Sequence, residues 1–107
     1  MSNLPVSGEY IVKYFAQEVA VESLPLDDET TFELLRRGDT EGVFQFDSEE
    51  MRHHLREEQP SDFEGLVAIL SHHCTNRAHA VSYALLAYQV AYLKAHYPEP
   101  FACAMSR

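Results

Sequence analysis

Basic residues are scarce. Eight Lys and Arg stand against 17 Asp and Glu in 107 residues, a net charge of −9 with the histidines neutral. A surface of that sign repels phosphate, which argues against free-standing nucleic-acid binding and against docking on anionic lipid. Cysteine is nearly missing. Cys74 and Cys103 are too few for a disulfide framework and read as reduced thiols of a cytoplasmic protein. Long apolar runs are missing too. The most apolar stretch, Ala80–Ala91, is too short to span a bilayer and contains Ser82 and Gln89. No basic start followed by an apolar segment marks a secretory signal. The four glycines form no phosphate-binding loop, and there is no nucleophile elbow and no His-Glu-x-x-His string. No Asp-x-Asp pair suited to two magnesium ions occurs. Neither a cofactor nor a metal is therefore expected.

What is present is an ordinary globular composition, 46% hydrophobic, in a chain long enough for one small core. The expected domain is a single one over 1–107, with 1–18 as an extension to it. Pro5 and Gly8 sit in a loose start, and the apolar spacing of Tyr10, Ile11, Tyr14, Phe15 and Val19 favours a short helix over a strand. Leu24-Pro25-Leu26 leads into a helix over about 28–37, with Asp27 or Asp28 as its cap, Arg36 and Arg37 at its end and Gly38 as its stop. Gly42–Phe46 alternates apolar and polar residues and reads as extended. Ser48 opens a second helix carrying Met51 and Leu55, and Pro60 ends it. Ser61 and Glu64 have capping-box spacing, which makes Ser61 the expected cap of a third helix with Phe63, Leu66, Val67, Ile69 and Leu70.

Thr75 or Asn76 then caps the longest element, about 76–96. Its apolar residues fall on nearly every face, as in a helix that is buried all round or lies against another chain. Pro98 stops it, and Glu99–Met105 reads as a short last helix. The expected class is all-α: five or six helices built around one long buried helix.

The residues with chemistry have plain readings beside sharper ones. All six histidines lie between His53 and His96. His72-His73-Cys74, with His79 or Cys103, could be drawn as a zinc site, but neighbouring ligands rarely point at one ion and no second paired motif exists. A solvated loop is the better reading. His53-His54 beside Glu57 and Glu58 reads as surface electrostatics. Tyr83, Tyr88, Tyr92 and Tyr97 could stack bases, yet only Arg77 and Lys94 lie nearby, so packing is preferred.

Three strings carry a resemblance. They are LPLDDETTFELLRRGDTEGVFQFDSEEM at Leu24–Met51, PSDFEGLVAI at Pro60–Ile69, and NRAHAVSYALLAYQVAYLKAHYP at Asn76–Pro98. They are similar to segments of the bacterial DNA polymerase III alpha subunit, the C-family replicative polymerase. In that family the first two begin the fingers, and the third matches a later fingers segment that starts Asn-Lys-Ser-His. The chain departs from the family in three ways, the first being Arg77-Ala78 in place of that Lys-Ser. Only Leu70–Thr75 stands where the family has a long further segment, and the palm with its metal-binding aspartates has no counterpart. The resemblance therefore implies a non-catalytic fingers-like module or fragment, related to DNA replication and without polymerase activity by itself. It also implies that any surviving nucleotide or phosphate contact falls to Asn76, Arg77 and His79. The alternative is a self-associating interaction module, most simply a homodimer with Tyr83, Leu86, Val90 and Leu93 as its seam. Other replication proteins are the further partners to expect, with weak DNA binding and no membrane.

Overall fold

The structure, a computed structural model, describes residues 20–72 and 76–105. After a 3-10 turn at Val21–Ser23, five α-helices follow: α1 (Glu29–Arg36), α2 (Glu49–Glu58), α3 (Phe63–Ser71), α4 (Arg77–His96) and α5 (Pro98–Met105). Among the described residues there is no strand, and the all-α class holds. The helix expected within 9–21 lies outside the described residues apart from Ala20 and Val21, where the 3-10 turn begins.

The first four α-helices each start where a short polar side chain can take up the free amides of a first turn. Asp28 accepts from the Thr31 amide at 2.9 Å, and Ser48 from the Met51 amide at 3.2 Å. α1 closes on Gly38 at φ +76°, whose left-handed backbone lets the Asp39 amide reach back to the Leu34 carbonyl at 3.2 Å. α2 closes on Gln59, also left-handed at φ +48°.

Two local expectations need correction. The cap of α3 is Asp62, not Ser61: the Asp62 carboxylate accepts from the Gly65 amide at 2.9 Å. Either residue fits the spacing, and the charged oxygen next to the helix N-terminus makes the stronger bond. Asp62→Ala should therefore cost about 1 kcal/mol and Ser61→Ala almost nothing, read from urea midpoints of the two variants.

The second correction concerns Gly42–Phe46, which is not extended. The Val43 amide bonds the Thr40 carbonyl at 2.9 Å, the Phe46 amide bonds the Val43 carbonyl at 3.0 Å, and Gly42 and Gln45 both have positive φ. The chain reverses twice here and so points both Val43 and Phe46 into the core. The buried Thr40 hydroxyl donates to the Phe46 carbonyl at 2.6 Å and closes the loop.

α4 is the hub, packed on α1, α3 and α5. It is not buried all round. Ala80, Ala84, Ala87 and Ala91 lie fully buried along one face, with Tyr88 beside them, and the small side chains let neighbouring helices approach closely. Toward its C-terminus Val90 and Leu93 are buried as well, whereas Val81, Tyr83 and Leu85 near its start are exposed. Phe32, Leu35, Phe46, Leu55, Leu66 and Leu70 complete the core, and the Tyr88 ring sits 5.5 Å from Phe32 and 6.5 Å from Phe63. No described helix is long and apolar enough to cross a membrane.

Candidate functional site

The first turn of α4 carries the residues singled out by the family resemblance. Asn76 is its cap, with the side-chain oxygen accepting from the Ala78 amide at 2.7 Å. Arg77 reaches sideways to α3 and pairs with Glu64 at 3.0 Å, both side chains well exposed. His79 lies on the other side, its ring stacked 5.9 Å from that of Tyr83, which in turn meets Phe44 edge-on at 5.8 Å. The three residues are thus exposed on one turn but do not converge on one point. Residues two apart on a helix differ by about 200° in direction, so Arg77 and His79 face apart. No acidic residue lies in this first turn, and the exposed Arg77–Glu64 pair is worth only about 0–1 kcal/mol. An anion could therefore draw Arg77 away at little cost.

The other end of α4 forms a tighter cluster that the sequence did not signal. One oxygen of Asp28 accepts from the Thr31 amide at 2.9 Å, the Thr31 hydroxyl at 2.7 Å and His96 Nε2 at 2.7 Å. A carboxylate can only accept, so Nε2 carries the hydrogen. The Tyr92 ring stacks on His96 at 4.2 Å. The Tyr88 hydroxyl accepts from the Asp28 amide at 3.1 Å and donates to the Pro25 carbonyl. The approach to α1 is thereby tied to the end of α4. Asp28 was readable as a cap. Its partners, 60 and 68 residues away, were not.

Burial alone raises the Asp28 carboxyl, but hydrogen bonds from His96 and Thr31 outweigh it and hold the group below its ordinary 3.8. A depressed carboxyl adds stability above its unfolded value and loses it as pH falls through the folded one. Asp28→Ala should cost about 1–2 kcal/mol at neutral pH, with the gap to wild type closing below about pH 4. Urea unfolding at neutral and acid pH checks both statements.

The remaining candidates disperse. Tyr88 is buried, Tyr92 is half-buried, and Tyr83 and Tyr97 are exposed. His54 lies 3.6 Å from Glu58, and His72 is exposed. His73 and Cys74 lie outside the described residues. Among the described residues no group of three or more His, Cys, Asp or Glu is placed to hold a metal ion. The drawn seam also needs correction. Val90 and Leu93 are fully buried in the chain's own core and Leu86 is half-buried, which leaves only Tyr83 of the four at the surface. Apolar spacing alone does not separate a residue packed on a neighbouring helix from one packed on another chain.

The DNA polymerase III subunit alpha of Mycobacterium leprae is 46% identical over 74 residues, which covers 66% of this chain and 6% of that protein. That of Mycobacterium tuberculosis has the same identity and coverage, and that of Staphylococcus aureus strain Mu50 is 43% identical over 74 residues, 66% of this chain and 7% of its own. The chain thus spans only a small fraction of the relatives it matches. No solved structure matches it. The family model described as the bacterial DNA polymerase III alpha subunit finger domain matches residues 7–81, most of the chain, and the chain belongs to that family.

Proposed function

We propose that the chain acts as a non-catalytic fingers module of DNA replication, with no polymerase activity by itself. The observation that carries this reading is the match to the finger domain over 7–81. One further fact supports it: the relatives are more than ten times longer than the matched segment. The module works in the cytoplasm beside other replication proteins and needs no cofactor. Asn76, Arg77 and His79 on the first turn of α4 supply what contact it makes with a nucleotide phosphate, through Arg77 and the free amides of the helix start. With a net charge of −9 it binds DNA weakly alone, because few phosphates can be neutralised. Primer extension with magnesium by the pure chain, and titration with labelled primer-template, test this reading together. Extension by the chain alone, or saturable DNA binding at low micromolar protein and physiological salt, would overturn it.

The second reading, self-association, is favoured by Val81, Tyr83 and Leu85, which are 36–39% exposed on the first half of α4. At that exposure the three side chains offer roughly 200 Å² together, against about 800 Å² per partner in a stable interface. The fingers reading therefore leads. Sedimentation of the wild type and Leu85→Glu at rising concentration decides the matter: a mass that does not change with concentration removes the homodimer.

A further inference from the structure

A cleft of about 560 Å³ opens between α1, the loop at 39–41, the end of α4 and α5. Its floor is apolar: Leu34, Ala95, Phe101, Ala102 and Met105. Its rim is charged, and the charges are unevenly spent. Lys94 is largely buried, donates to the Glu41 carbonyl at 2.9 Å, pairs with Asp39 at 3.2 Å and stands 5.9 Å over the Phe101 ring. Arg37 pairs with the same Asp39 at 3.4 Å. Lys94 is thus satisfied from within, whereas the exposed Arg37–Asp39 pair is weak. The carboxylates of Glu33 and Glu41 are exposed and form no ion pair among the described residues.

We propose that this cleft docks a peptide segment of another protein that presents one large apolar side chain between basic residues. The volume lies in the range of ligand clefts, about 300–1,000 Å³, which leaves room for one large side chain. No buried side-chain polar atom of the described residues lacks a partner, so the floor has no idle hydrogen-bonding group with which to orient a small polar ligand. Recognition falls to apolar contact below and to the two free carboxylates above, which attract lysine or arginine and repel phosphate. The inference rests on the lining of the cleft and not on the match over 7–81, so peptide binding and the primer-extension result can fail separately.

The test uses the full chain and fluorescein-labelled synthetic peptides, read by fluorescence anisotropy at physiological salt. The parent peptide has one tryptophan between lysine pairs in a glycine-serine background. One control replaces the tryptophan by serine and a second replaces the lysines by glutamates. Saturable binding of the parent peptide alone is expected. Ala102→Arg fills the cleft from an exposed helical position, and the pair Glu33→Lys, Glu41→Lys reverses the rim; each should weaken binding by roughly tenfold or more while circular dichroism stays unchanged. The proposal fails if no peptide of the set binds, if the serine control binds as tightly as the parent, or if Ala102→Arg leaves the affinity unchanged. It also fails if Ala102→Arg abolishes self-association, since a second copy would then be the occupant.

Discussion

Tyr88→Ala is expected to be among the most damaging single changes in the chain, at about 3–5 kcal/mol. Small domains have only about 5–15 kcal/mol in all, so the variant should show a broad or incomplete thermal transition. The ring is fully buried and packs on Phe32 and Phe63. Its removal opens a cavity at the meeting of α1, α3 and α4, where three helix backbones cannot all close in. Tyr88→Phe separates the hydroxyl from the ring. It keeps the packing and strands the Asp28 amide and the Pro25 carbonyl, for about 1–3 kcal/mol. Burial pushes the Tyr88 phenol above its ordinary 10.0, against the hydrogen bond from the Asp28 amide, which lowers it. The folded state then holds this proton more tightly than the unfolded one. The stability it brings is intact below the ordinary value and falls as pH rises through the folded one. Urea midpoints measured through about pH 9 to 11 should fall more steeply for wild type than for Tyr88→Phe. Equal slopes would mean that another group titrates.

Gly42→Val should be the costliest change in a loop. Gly42 has φ +83°, a conformation that a β-branched residue adopts only under strain. A side chain there also meets α5, because an added Cβ would stand 2.5 Å from the Met105 sulfur. These two effects differ in kind. The sulfur is near the free end of a flexible side chain and can swing away, whereas the backbone angle has nowhere to go. Strain should therefore dominate, at about 1–3 kcal/mol. A double-mutant cycle with Met105→Ala tests that ranking. If the backbone decides, truncating Met105 recovers only a few tenths of a kcal/mol of the loss. Recovery of most of it would show that the steric contact decides instead.

The helices were legible because their signals are local. Asp28 and Ser48 each precede a periodic apolar run, Asn76 precedes a long apolar one, and each proves to be a cap. Gly38 was readable as a stop for the same reason. Where two residues satisfied one rule, as Ser61 and Asp62 did, spacing could not choose between them. Gly42–Phe46 misled because alternation reports which side chains turn inward without reporting how the backbone turns them. Gln45 in a left-handed conformation bears no mark in the sequence. Of the candidate site, the position of Asn76, Arg77 and His79 at a helix start was legible. Their divergence and the Arg77–Glu64 pair depend on where α3 lies. The Asp28–His96 contact was out of reach, since it joins the start of the first helix to the end of the fourth.

That long-range joint bears on how the protein is made. During translation α1, α2 and α3 leave the ribosome before α4, yet α1 and α3 both pack chiefly on α4. Until residues through about Leu93 are outside the exit tunnel, Phe32, Leu35, Leu66 and Leu70 lack the α4 side of their packing. Until then the nascent chain presents its stickiest residues, and its core closes only once α4 joins it. A pause in translation before α4 has emerged therefore lengthens that exposure.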